Sequence, residues 1–123
     1  MTTFNWLIIG HLIGDWMFQN DWMVSGKRRG LFTTAGLVHF TLYTIIVTGL
    51  LWFVDEPGQM PLIYAQVGLI IFFSHWIIDA TELVESWMDF FHQRRSNQMV
   101  RIMIDQLLHV SILAVLTRTV LVS

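Results

Sequence analysis

The sequence contains no cysteine. That excludes disulfides, thiolate metal ligands and covalent haem attachment, and leaves imidazole and carboxylate as the strong ligands a metal would find. Proline occurs twice in 123 residues, so little interrupts long helices. Charge is scarce: Asp, Glu, Lys and Arg make up 13% of the chain, roughly half the share of a soluble domain. A net charge of −2 provides no basic footprint, so nucleic acid is not an expected partner. The opening stretch, MTTFNWLIIG, has no basic residue ahead of its apolar run and is not read as a cleaved signal peptide.

What remains is apolar. The chain is 54% hydrophobic and 14% aromatic, with a mean hydropathy of +0.58. These values predict an all-α fold, an integral membrane four-helix bundle forming one domain over residues 1–123. The expected spans are about 3–19, 34–54, 61–81 and 99–122, each near the roughly 20 residues that cross about 30 Å of hydrocarbon. Polar residues within them recur at three and four rather than at two, which argues against strands. In lipid a helix satisfies its own backbone.

The loops predict the orientation. SGKRRG at 25–30 and HQRRSN at 92–97 carry five cations between them, while DEPGQ at 55–59 carries none. Basic loops stay on the cytoplasmic side, so both termini are expected outside, in a bacterial inner or cytoplasmic membrane or a thylakoid-type membrane. Trp6 and Trp52 fall near the outer interface, and Trp22 and Trp87 near the inner one, as an aromatic belt requires. Beyond Asp79 an amphipathic cytoplasmic extension of the third helix is expected. Leu83, Trp87 and Phe91 share one face with Val84 and Met88 beside them, opposite Glu82, Glu85 and Asp89.

At 1.5 Å per residue the polar residues can be placed in depth. Asp15 lies about 10 Å from the cytoplasmic boundary, His11 about 15 Å, His39 and His75 about 9 Å, and Asp105, Gln106 and His109 about 9 to 15 Å, with Asp79 near the boundary. All four spans therefore put histidines and carboxylates into the inner leaflet. Ionisable groups in a span are costly and face the bundle interior, a partner or water. His11, Asp15 and Gln19 recur every four residues and form one stripe. His11–Asp15 and His75–Asp79 are both H-x-x-x-D pairs, and Asp105–His109 is the reverse. At i, i+4 two side chains stack on one face, where they can share a metal ion or let the carboxylate orient the imidazole. Gly10 and Gly14 form a small-x-x-x-small pair that lets a neighbouring helix approach, and Gly36 can do likewise.

Two readings stay open. One is a divalent-metal site (zinc, iron or manganese) built mainly by His11, Asp15, His75, Asp79 and His109, with Gln19, His39, Asp105 and Gln106 in support. Such a site would serve hydrolysis of a membrane-proximal substrate. The other is an accessory subunit of a respiratory or photosynthetic membrane complex, whose polar residues lock helices together or contact a pigment or quinone. In both readings the bilayer is a partner. Nothing in the sequence singles out a catalytic nucleophile; Ser74 beside His75 has no second signature.

The combination H-x-x-x-D-x-x-x-Q at 11–19, a lone histidine at 39, H-x-x-x-D at 75–79 and D-Q-x-x-H at 105–109 resembles the domain of unknown function 3307 (DUF3307) family, small integral membrane proteins of bacteria and phages. The resemblance implies a helical membrane fold and a shared polar motif, on His11, Asp15, Gln19, His39, His75, Asp79, Asp105, Gln106 and His109. It implies no activity.

Overall fold

A computed structural model describes residues 2–54 and 61–121. Among these, all regular structure is helical. Helix α1 is Thr3–Leu12, started by Thr2, whose hydroxyl accepts from the Asn5 N–H at 3.3 Å. It runs into a π-helical turn, Ile13–Met17, in which the Phe18 N–H reaches back to the Ile13 carbonyl at 3.1 Å. The chain then bends, Asn20 caps the short helix α2 (Asp21–Lys27), and a loop leads to α3 (Thr34–Val54). Helix α4 is Pro61–Ala80, α5 is Leu83–Phe90 and α6 is Gln98–Leu116, extended by a second π-helical turn, Thr117–Leu121.

Three helical segments are long and apolar enough to cross a membrane: Thr34–Val54, Pro61–Ala80 and Gln98–Leu121. The first expected span differs. Its straight α-helical part ends at Leu12, and ten residues reach only about 15 Å. The physical reason lies in the sequence that follows. Gly14 and Asp15 fall in the π turn, and Asn20 prefers the extended cap conformation that starts a new helix. The 55–59 loop and Val122, the end of the fourth expected span, lie outside the described residues.

Helices α1, α3 and α4 each carry a stripe of buried residues spaced by four. On α3 these are Ala35, His39, Tyr43, Val47 and Leu51; on α4, Val67, Ile71, His75 and Asp79; on α1, Leu7 and His11. Spacing by four brings each stripe to one face. The stripes are apolar at one end and polar at the other. Leu7, Tyr43, Val47, Leu51, Val67, Ile71, Leu113 and Leu116 form an apolar cluster around one half. A second, smaller cluster of Ile78, Val84 and Met88 closes the opposite end against Ile104 and Leu108 of α6. The polar residues lie between the two.

The helices approach closely where the sequence has glycine. A methyl group on Gly14 would meet Tyr43 Cδ2 at 3.0 Å and Tyr43 Cα at 3.3 Å, so α1 and its π turn press onto α3 there. At Gly36 a methyl would lie 3.3 Å from Lys27 Cα, and one on Gly26 would overlap the Ala35 Cβ. Only backbone without side chains lets the end of α2 seat against the start of α3.

Helix α5 is not an extension of α4. The chain turns after Ala80, where the Thr81 hydroxyl bonds the Ile77 carbonyl, and α5 starts anew at Leu83. Val84 and Met88 are its buried residues, while Leu83, Trp87 and Phe91 stay partly exposed. Glu85 meets Arg101 of α6 at 3.2 Å, which helps fix α5 on α6. Asp89 and Arg95 pair at 2.6 Å but are each about half exposed. The hydrogen bond from Arg95 holds the Asp89 carboxyl below its usual range. Just past the end of α5, His92 takes a left-handed φ of 55°, and the Gln93 N–H returns to the Met88 carbonyl at 2.8 Å.

Candidate functional site

The polar ends of the stripes meet at one point. His39 Nε2 of α3 and His75 Nε2 of α4 lie 2.8 Å apart. Around them stand two carboxylates. Asp15 Oδ1, from the π turn, is 3.3 Å from His39 Nε2 and 3.8 Å from His75 Nε2. Asp79 Oδ2, one turn beyond His75 on α4, is 3.4 Å and 3.2 Å from the same two nitrogens. One ligand atom from each of these four buried residues lies within 4.8 Å of the others. Asp15 Oδ1 makes no hydrogen bond, nor do the Nδ1 atoms of His39 and His75, so nothing behind either ring fixes its tautomer.

A cation stands beside them. Lys27, the last residue of α2, donates to Asp79 Oδ2 and Gln19 Oε1, both at 2.6 Å, and lies 3.8 Å from Asp15 Oδ1. It is only 6% exposed. The sequence groups Lys27 with Arg28 and Arg29 in one basic loop; the structure ends α2 on Lys27 and buries it, while Arg28 and Arg29 are exposed. The cause is α2, a helix too short to stand out in a hydropathy profile, which folds back onto α3 and carries its last side chain inward. One signal was available: the first three expected spans hold Asp15 and Asp79 and no cation to match them.

The fourth segment supplies Asp105, Gln106 and His109. Gln106 Nε2 donates to Asp15 Oδ2 and Asp105 Oδ2, both at 3.1 Å. Two carboxylate acceptors on that side mean that the amide nitrogen faces them and Oε1 faces away. Oε1 therefore accepts from His11 Nε2 at 2.8 Å. The other His11 nitrogen, Nδ1, is then the acceptor for the Tyr43 hydroxyl at 2.8 Å. Both His11 nitrogens are thus engaged, and the ring has no free lone pair. The structure leaves His11 outside the group it was expected to lead and brings His39, expected in support, into its centre. Gln19 serves the Lys27 ammonium rather than the imidazoles. Ser74 bonds the Ile71 carbonyl of its own helix.

Tyr43 was also missed from sequence. It stacks on His75 with ring centroids 3.9 Å apart while donating to His11. Its signals were its place four residues after His39 and the need of a buried phenol for a partner. His109 donates from Nδ1 to the main-chain carbonyl of Asp105 at 2.8 Å, which fixes its tautomer. Its Nε2 is buried, makes no hydrogen bond and faces Asp79 Oδ1 at 3.4 Å.

Two clefts reach the cluster. One, of about 260 Å³, is lined by Arg28, Asp79, Glu82, Glu85, Arg101 and Asp105. The other, of about 760 Å³, includes Asp15, Gln19, Lys27, Arg28, Asp105 and Gln106 in its lining.

The family model described as a protein of unknown function, DUF3307, matches residues 3–123. The chain belongs to the DUF3307 family. The match spans α1 through the last π turn, so every residue of the polar cluster in this DUF3307 chain lies inside it. Neither the curated proteins nor the solved structures contain a match.

The donor set of this DUF3307 protein suits a divalent ion. Two imidazole nitrogens and two carboxylate oxygens are ligands of zinc, iron and manganese. With neutral imidazoles, Asp15, Asp79 and Asp105 against Lys27 leave two negative charges in a largely buried cluster. Uncompensated charge at such depth is strongly unfavourable. Asp15, His39, His75 and Asp79 could hold an ion that balances it.

Proposed function

We propose that this DUF3307 protein is a membrane-embedded divalent-metal protein. The ion is held on Asp15, His39, His75 and Asp79 and serves hydrolysis of a membrane-proximal substrate. The observation that carries this reading is the convergence of four buried ligand atoms, from three separate segments, within 4.8 Å. The wider architecture follows with it. The π-turned first segment packs on α3 and forms, with α3, α4 and α6, a four-segment bundle in a bacterial inner or cytoplasmic membrane. Arg28, Arg29, Arg94 and Arg95 face the cytoplasm, and both termini lie on the other side. A bound divalent ion supplies Lewis-acid polarisation and activates water. The clefts that reach Asp79 and Asp15 from the basic side give a headgroup-sized substrate a way in.

Elemental analysis of gently solubilised protein tests the reading. Wild type is expected to hold stoichiometric metal, and His75→Ala and Asp79→Asn to lose it. Metal-free wild type after purification in zinc-, iron- and manganese-supplemented buffer would overturn the assignment.

A specific observation favours a second reading. Lys27 already places a cation 2.6 Å from Asp79, and protons taken up by the imidazoles would balance what remains. In that reading the cluster is a lock between helices in an accessory subunit of a larger membrane complex. Metal-free wild type that co-purifies with defined subunits, and loses them when Lys27 is replaced, is its expected signature.

A further inference from the structure

With a neutral imidazole, the contact between His109 and Asp79 has the wrong chemistry for a hydrogen bond. His109 Nδ1 faces a main-chain carbonyl at 2.8 Å. A carbonyl only accepts, so the Nδ1 proton is spent there. In the neutral ring Nε2 then presents a lone pair. It faces Asp79 Oδ1, another lone pair, at 3.4 Å, and Nε2 makes no hydrogen bond. His109 is 3% exposed. Two buried acceptors facing each other repel unless a positive charge lies between them.

The surrounding residues provide for one. Asp15, Asp105 and His109 each offer a ligand atom within 4.8 Å of the others. Asp79 turns Oδ2 toward His39 and His75 and Oδ1 toward His109. Asp15 is split likewise: Oδ1 faces His39 while Oδ2 lies on the Gln106 and Asp105 side. Each carboxylate thus has one oxygen in each group.

We propose that this DUF3307 protein holds two divalent cations, bridged by Asp15 and Asp79, with His109 and Asp105 as the further ligands of the second. This rests on the metal reading above and extends it. Two cations bridged by carboxylates lie roughly 3.5–4 Å apart and clamp the attacking and leaving oxygens of an in-line displacement. The substrate class that such a clamp suits, and that we assign here, is a phosphate ester. Gln106, anchored by His11, which Tyr43 holds in turn, positions Asp15 and Asp105 rather than binding the ions.

The full chain, stripped with chelator in detergent and reloaded with Mn(II), gives the test. Two manganese per chain with an exchange-coupled electron paramagnetic resonance spectrum are expected. His109→Ala is expected to hold one, with the six-line spectrum of an isolated ion. One uncoupled manganese in wild type would overturn the second position and leave the first intact. No manganese in wild type would sink both. Two in wild type and two in His109→Ala would remove His109 from the ligands. The wild-type spectrum decides the count even if the variant fails to fold.

Discussion

The Lys27–Asp79 pair is the feature whose removal has the most calculable consequence. In Lys27→Met the side chain keeps its length and loses its charge. Asp79 then loses a donor at 2.6 Å, Asp15 loses a cation at 3.8 Å, and Gln19 loses the partner of Oε1. Side-chain exposure at the pair is 8% and 2%, so water replaces little of what is lost. Removing one partner of a buried pair costs about 3–5 kcal/mol, or roughly two to four powers of ten in the folding equilibrium at 1.4 kcal/mol per tenfold. The assay is reversible SDS titration in mixed micelles, followed by circular dichroism, with chelator present so that no added ion substitutes for the ammonium. A double-mutant cycle with Asp79→Asn separates the pair from its surroundings. The double variant is expected to recover at least ~1 kcal/mol relative to the sum of the single losses, within the usual range for contacting residues. A loss below ~1 kcal/mol for Lys27→Met, typical of an exposed pair, or a coupling of zero, would refute the burial of Lys27. A smaller loss when divalent ion is added back is the expected companion result.

Other predictions follow from the same packing. Gly14→Val drives a side chain into Tyr43 and should cost about 1–3 kcal/mol, whereas Gly49→Ala, with nothing within 4 Å of the added methyl, should leave the same titration unchanged or slightly improved. Tyr43→Phe removes the donor to His11 Nδ1 and leaves a buried acceptor unpaired, a loss of about 1–3 kcal/mol; equal stability to wild type would show the hydroxyl bond is absent. His11→Ala should keep the metal content of wild type while His75→Ala loses it, because both His11 nitrogens are engaged. Loss of metal in His11→Ala at unchanged fold would return His11 to the ligand set.

Much was legible in the sequence because it follows from periodicity. The helical class, the three long apolar helices and the gathering of His39, His75, Asp79, Asp105 and His109 in one layer all derive from apolar runs and spacings of three and four. A residue's depth along a helix is set by its position in the chain, so a shared layer can be counted out. The close approach at Gly14 was legible for the same reason, since small-x-x-x-small marks a face.

Tertiary structure alone decided what the layer's members do. Whether His11 or His39 reaches the centre depends on the rotation of one helix against another, and rotation is set by packing at Gly14 and Tyr43 rather than by spacing. The burial of Lys27 depends on α2 folding back onto α3, a contact made by Gly26, Ala35 and Gly36 across the intervening loop. The separation of α5 from α4 depends on Val84 and Met88 finding α6. The tautomers of His11 and His109 depend on a glutamine and a carbonyl whose positions no local pattern encodes. Sequence determines which residues can meet at a given depth; only the packed structure determines which lone pairs face one another there, because orientation is a property of neighbours.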